Sequence, residues 1–484
     1  MRLIPISVAS RRTSASPVVL WDSMTGRRLR AQRSAAVSLL LLVCMAGLLC
    51  ASSAQAAFEL TAPRLLTDPS PAVSQPDYAP RSEGGGLAAW WQEFDSGETS
   101  IQVASISEGG RPGEAVEIDH DPQGYLLWPS IATAQAGYAA VAWGAGDPLA
   151  SQAAIRTTTI GSDGEPGSLH EVDSASDTSL GTPSPTVLVD SSGRPVVVWL
   201  AYGVTDSDIT RTELRWARVG ADGGLLGEVN VIPFDTPLYL SGLRVGIDSA
   251  DRVTAVWEHD GNIGTIRFGL DGERSPMQQF TSGPGRVLDL HLVVASDGSA
   301  TVVWRSWSGS DNSRVRAVQL ASSDTEPGPL LELSAPVGRN FNPVAAAGPG
   351  GRITILWERW RRDTVQVVSR QIKPGGALGP LRPLSAAASH GRNPAIVSTA
   401  AGRLFAAWQR QAGAGARRKI QLSRLDRAGR VARSAAGGPG IEPELAISGG
   451  GRPVVTWRSP GADRSQAPVS RPMSRPIAIS TLRR

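Results

Sequence analysis

Cysteine and lysine are almost missing from this chain. Of its 484 residues only two are cysteine, Cys44 and Cys50, and both lie inside one apolar segment near the N-terminus. Disulfides and thiolate metal sites are therefore excluded from everything that follows. Lysine occurs twice, at Lys373 and Lys419, while arginine carries nearly all the positive charge. That bias marks a GC-rich genome and so a bacterial chain. Histidine is scarce as well: His120, His170, His259, His291 and His390 are scattered with no ligand spacing, which gives no metal site. Beyond the first apolar segment there is no second hydrophobic run, so no membrane span is expected in the mature chain. No stretch sustains a helical period, which excludes helical solenoids. There is no nucleophile elbow, phosphate loop or metalloprotease helix, hence no catalytic residue and no cofactor to assign.

What is present begins with an export signal. Arg27, Arg28, Arg30 and Arg33 precede an apolar core from Ser34 to Cys50, and Ala54-Gln55-Ala56 follows as a small-x-small pattern. This order predicts a signal peptide over residues 1–56 with an N-terminal extension, cleavage after Ala56, and Met24 as an alternative start. The mature protein, 57–484, is expected outside the cytoplasm as a monomer.

The mature region is dominated by one recurring phrase: a turn glycine or its substitute, five small or branched apolar residues, then tryptophan. The tryptophans are Trp91, Trp143, Trp199, Trp257, Trp304, Trp357, Trp408 and Trp457, spaced 52, 56, 58, 47, 53, 51 and 49 residues apart. A period near fifty residues is the mark of a repeat architecture. Each unit reads as four strands. In the third, Pro185–Val189 is a short apolar run, Asp190–Gly193 a turn, Pro195–Trp199 a continuous apolar strand, Glu213–Val219 a third strand and Val229–Ile232 an outer one. A second strand apolar at consecutive positions has both faces buried. In an antiparallel protein this occurs where small sheets stack around a ring. The prediction is an all-β fold, a β-propeller of eight four-stranded blades in a single domain, with seven blades as the alternative. Pro63–Asp68 resembles a fourth strand placed ahead of the first unit, and it is expected to pair with the last blade and close the ring.

In this turn–glycine–apolar phrase the chain resembles bacterial secreted β-propellers of the NHL and quinoprotein types, over roughly residues 60–480. The resemblance implies the fold only. Sialidase-like Asp boxes place their aromatic three positions after the glycine, whereas here it is six, and the Thr-Gly phrase of quinoprotein repeats is absent.

The eight register tryptophans are expected to pack between blades. The residue after each one varies (Gln92, Gly144, Leu200, Glu258, Arg305, Glu358, Gln409, Arg458), which a repeated ligand pocket would not allow. Two extra tryptophans, Trp307 and Trp360, follow the second strand where loops leave one ring face, the latter beside Arg359, Arg361 and Arg362. Aromatics with arginines suit an acidic polymer, and these five residues form the candidate ligand site. Glu258-His259-Asp260, Asp119-His120-Asp121 and Asp206-Ser207-Asp208 are polar clusters that match no catalytic or calcium pattern. Charge is uneven. Residues 351–484 hold 24 basic and 6 acidic side chains, residues 57–350 hold 17 and 37, although the whole chain is only +4. A basic arc facing an acidic one steers partners. The expected function is a secreted binding or scaffolding module for an envelope or extracellular partner, an extracellular protein or acidic polymer and not nucleic acid. The alternative is an extracellular carbohydrate-active enzyme, a hydrolase or lyase, with carboxylates at the channel mouth.

Overall fold

In the computed structural model the second strands of the repeats are largely apolar and covered on both sides. They are Gly86–Glu93, Ala139–Ala145, Pro195–Thr205, Arg252–His259, Ala300–Trp307, Arg352–Arg361, Leu404–Gln411 and Pro453–Arg458. Each belongs to its own antiparallel sheet, and the eight sheets are the blades of a β-propeller, numbered here 1–8 along the chain. The structure describes residues 58–483 apart from 68–71, 147–152, 175–177, 180–184, 206–207, 236–239, 284, 310–311, 324–325, 336–337, 414 and 461–475. The signal-peptide reading, with Met24 and both cysteines, and the Asp206-Ser207 pair lie outside the described residues.

Within blades 1–7 the four main strands run in chain order from the channel to the rim; blades 1 and 3 each add one short strand, Ala72–Val73 and Thr178–Ser179. Burial follows that order. Every residue of Ala139–Ala145 is buried, whereas the outer strand Pro112–Asp121 has none fully buried. The apolar second strand thus sits where two neighbouring blades press on it.

The core is divided into eight clusters, each shared by adjacent blades. Trp143 of blade 2 packs on Leu87, Ala89 and Ile101 of blade 1, and Trp357 of blade 6 on Val303, Val315 and Ala317 of blade 5. Each register tryptophan points back at the preceding blade. Blade 1 corrects one assignment. The residue packed against Val454, Ile477 and Ile479 of blade 8 is Trp90, at 1% exposure, whereas Trp91 points the other way, toward blade 2. The cause is the triple glycine. Gly84 and Gly85 both take positive φ and strand pairing starts at Gly86, so the phrase runs from the first glycine, Gly84, to Trp90, one residue earlier than the count from Gly85 that ends at Trp91. Neighbouring strand residues face opposite sides, so the two tryptophans are not interchangeable.

Indole N–H groups are fixed by the neighbouring blade in part of the ring. Trp143 Nε1 donates to Asp119 Oδ2 at 2.8 Å, and Arg156, opposite Trp143 on the third strand, donates to the same oxygen at 3.0 Å. Asp173 receives Trp199 at 3.0 Å and Arg215 at 2.8 Å in the same way. Asp119, part of the acidic triplet Asp119-His120-Asp121, is thus committed to joining blades 1 and 2. The Nε1 atoms of Trp304 and Trp408 are buried without a partner.

Closure is a strand exchange. Arg64–Leu65 forms the outer strand of blade 8, beside Ile477–Thr481, with Arg64 opposite Ile479. Backbone bonds from Thr61 to Thr481 and from Leu66 to Ile477, both 2.8 Å, secure it. The chain-end strand anticipated at Pro63–Asp68 is this one, shorter than the apolar run.

Candidate functional site at the channel mouth

The innermost strands of blades 4–8 each slip register by one bulge just before the position opposite the residue preceding the register tryptophan. The bulge residues Gly242, Asp289, Asn342, Asn393 and Glu442 have φ between 49° and 65°. Short polar side chains tolerate that region better than most, and a bulge re-aims the side chains around it. Here it brings polar groups of successive blades into one network at the mouth. Asp289 Oδ2 accepts from Arg305 Nε at 2.7 Å and from the Asn342 backbone N–H at 3.2 Å. Glu358 Oε1 accepts from Asn342 Nδ2 at 2.7 Å and the Asn393 N–H at 2.8 Å, while its Oε2 accepts from Trp360 Nε1 at 2.9 Å. Glu358 is only 2% exposed, so these donors compensate the buried carboxylate.

Over this network lies a stack of arginines and rings. The Arg305 guanidinium sits 4.9 Å from the centre of the Phe341 ring, Arg339 5.0 Å from that of Trp360, and Arg392 4.5 Å from that of Trp360. Phe341 and Trp360 are 5.2 Å apart, tilted. Blades 5, 6 and 7 thus contribute Arg305, then Arg339, Phe341 and Trp360, then Arg392. A guanidinium placed over a ring can still present edge N–H groups to a carboxylate, sulfate or phosphate. The rings are covered by cations, so this surface offers oriented donors rather than bare aromatic faces.

The structure therefore divides the five expected ligand residues. Trp360 is at the mouth, on the side of its strand that faces blade 7. Arg359 and Arg361 alternate to the other side. Arg359 donates to Gln366 Oε1 at 2.9 Å, and burial, with Arg361 beside it, pulls its pKa below the usual arginine range. Arg361 and Arg362 are exposed at the tip of a tight hairpin, where Arg362 has φ 42°. Trp307 holds the equivalent place in blade 5, half-buried, and no ring contact joins it to Trp360 among the described residues. Arg305, Arg339, Phe341 and Arg392 were not singled out from sequence. Their signal is a second repeated phrase, Asn342-Pro343, Asn393-Pro394 and Glu442-Pro443, 51 and 49 residues apart, which keeps step with the tryptophans.

Below the mouth, one position per blade pairs with the residue preceding the register tryptophan: Asp77, Ser130, Thr186, Arg244, His291, Val344, Ala395 and Glu444. Its chemistry changes around the ring, acidic at blades 8 and 1, hydroxylic at 2 and 3, basic at 4 and 5, apolar at 6 and 7. Asp77 and Glu444 are exposed toward the lumen yet crowded by protein, beside a cavity of about 360 Å³ also lined by Tyr78, Ser398 and Thr456. Burial, and then the nearby Asp77 charge, push Glu444 up to about 8. Burial also raises Asp77, against hydrogen bonds from the Ile131 N–H and Ser130 Oγ, both at 3.0 Å. Across the ring, burial and Arg244 lower His291 to about 4. His259 contacts the exposed Asp260 at 3.3 Å, away from this ring. Among the described residues no group of three or more histidines, cysteines or carboxylates is placed to hold a metal.

No family model matches the chain, and no curated protein matches it. Solved structures do. The Dos1 propeller is 9% identical, covering 88% of this chain and 95% of its own, with a TM-score of 0.48. An ulvan lyase of polysaccharide lyase family PL25 is 10% identical over 78% of this chain and 97% of its own, TM-score 0.46. The β-propeller domain of the trilobed protease from Pyrococcus furiosus is 9% identical over 72% and 92%, TM-score 0.40. These similarities concern the fold alone.

Proposed function

We propose that this protein is a secreted bacterial binding module that captures an acidic polysaccharide at the channel mouth of blades 5–7. The observation behind this reading is the guanidinium array of Arg305, Arg339 and Arg392, placed over Phe341 and Trp360, with Trp360 braced by buried Glu358. Uronate or sulfate groups at sugar spacing present paired oxygens to such planar donors. Titration of the purified protein with polygalacturonate and heparin fragments, at low and at moderate salt, tests it. Arg339→Ala with Arg392→Ala should weaken capture at least tenfold, while Arg433→Ala on the exposed outer strand of blade 7 should not. Equal affinity in both variants would end the proposal.

A second reading is favoured by one observation, the lumen carboxylates Asp77 and Glu444 with raised pKa beside a cavity. A carboxylic acid that keeps its proton near neutrality is suited to general acid chemistry on a glycosidic bond. Cleavage of an acidic polysaccharide that falls as pH rises through about 8, and is lost in Glu444→Gln, would establish it; no cleavage at any pH would remove it.

A further inference from the structure

The opposite face of the propeller carries a cleft whose charge is out of line with the rest of the ring. It lies between blades 6 and 7, has a volume of about 360 Å³, and is lined by Arg352, Arg370, Lys373, Arg382 and Arg427 without one acidic residue. Arg352 and Trp360 are at the two ends of the same strand, roughly 26 Å apart at about 3.3 Å per residue, so cleft and mouth are separate places.

The repeats supply their own comparison. In blades 3 and 4 the arginine that starts the second strand is neutralised by the aspartate that starts the preceding turn, Arg194 by Asp190 at 3.2 Å and Arg252 by Asp248 at 2.9 Å. In blade 6 the arginine remains, as Arg352, but Gly348 stands opposite it in place of the aspartate. The turn between the third and fourth strands changes in the same sense. Blades 2, 3 and 4 open it with Gly161, Gly220 and Gly269, and place Asp163, Asp222 and Asp271 two residues later, where each accepts a turn N–H at 3.0–3.2 Å. Blade 6 opens it with Lys373 and has Gly375 at the acidic position. A related cavity at blades 3 and 4, about 430 Å³, mixes Arg218, Arg252 and Arg267 with Asp251, Asp271 and Glu273. The blade 6–7 cleft has lost the acids and gained a base.

No acidic side chain among the described residues lines the cleft in their place. Among the described residues none of the five cations forms an ion pair. Arg370 is fixed by carbonyls instead, Nε to Gly379 at 2.9 Å and Nη1 to Leu333 at 2.8 Å. The closest acid in sequence, Asp426, uses its Oδ1 on the N–H groups of Ala428 and Arg430 at 2.9 and 2.8 Å. Half-buried guanidiniums without counter-charge are costly unless an anion supplies it.

We propose that this cleft is a binding site for a polyol or sugar carrying several phosphate or sulfate esters. Tetrahedral ester oxygens fit the planar forks of Arg352, Arg382 and Arg427, and Lys373 adds a point charge at the rim. The volume is at the small end of ordinary ligand sites, which suits a single ring rather than a polymer strand.

The test is calorimetric titration of the purified protein with myo-inositol hexakisphosphate, myo-inositol hexasulfate and neutral myo-inositol at moderate salt. The two anions share a scaffold and so separate phosphate from sulfate as the source. Expected is one binding event for at least one anion, none for inositol, and a loss of tenfold or more in Lys373→Gly with Arg427→Ala. Both side chains are exposed, and glycine is what blades 2–4 carry at the lysine position, so the fold is retained; an unchanged melting curve verifies that. Arg274→Ala, in the blade 3–4 cavity, should bind as the parent does. Two results overturn the proposal: affinity unchanged in the double variant, or binding lost in Arg339→Ala with Arg392→Ala instead, which would move the anion to the mouth.

Discussion

Replacing Trp199 and Trp304 by phenylalanine in separate variants tests how the blades are joined. Both indoles are fully buried at the same register, so both substitutions remove about the same apolar area. They differ in one respect. Trp199 Nε1 donates to the Asp173 carboxylate at 3.0 Å, whereas Trp304 Nε1 has no partner. In Trp199→Phe a bond to a charged acceptor is lost, worth about 1.5–3 kcal/mol, although Asp173 keeps Arg215. In Trp304→Phe an unmet buried donor is removed, which returns about 1–3 kcal/mol and offsets part of the lost packing. Trp199→Phe should therefore be the less stable variant, by about 2.5–6 kcal/mol on the sum of these terms. Urea unfolding followed by circular dichroism, with equal slopes in both variants, reads the difference as a shift in midpoint. Asp173→Asn in the Trp304→Phe background should cost as much as it does alone, because the two sites do not touch. Equal midpoints for the two phenylalanine variants would refute the idea that the carboxylate contributes beyond area burial.

Two further outcomes follow from the lumen and from the closure. Glu444 has a folded pKa of about 8, above its ordinary 4.5, so the native state holds a proton that the unfolded chain releases. Its stabilising effect is complete below 4.5 and is lost as pH rises through about 8. Glu444→Gln should gain stability over the parent between pH 5 and pH 9; a gap that does not widen with pH would count against the raised pKa. Leu66→Pro removes the N–H that bonds Ile477 O at 2.8 Å and should lower stability by about 3 kcal/mol or more, measured by thermal unfolding; a neutral effect would mean that the exchanged strand does not hold the ring.

The fold was readable because its determinants are local and repeated. A continuous apolar strand such as Pro195–Trp199, flanked by a turn at Asp190–Gly193, states both its conformation and its burial on two faces. The slip at Trp90 and Trp91 shows the limit: with three glycines in a row, spacing cannot tell which one takes the turn conformation that sets the register. The candidate site was less legible. Trp360 stood out as an exposed-looking aromatic beside arginines, but Arg359 and Arg361, its neighbours in sequence, point away because strand side chains alternate. Its actual neighbours, Arg339, Phe341 and Arg392, are brought there by bulges in two different blades. The Asn-Pro phrase was present in the sequence, but what it positions depends on the ring, as does the lumen pairing of Asp77 with Glu444 from opposite ends of the chain.

Joining the ring through Arg64–Leu65 also sets a timetable. Its partners around Ile477–Thr481 lie 410 to 420 residues further along, so they leave the ribosome long after it. At about 5–20 residues per second, the first strand waits roughly 20–80 s for its place. During that interval blade 1 lacks the neighbour that covers Trp90, and the growing stack has an open edge at each end. A nascent chain in this state benefits from a holding chaperone. If the proposed secretion holds and export precedes folding, both strands reach the far side of the membrane before the ring has to close.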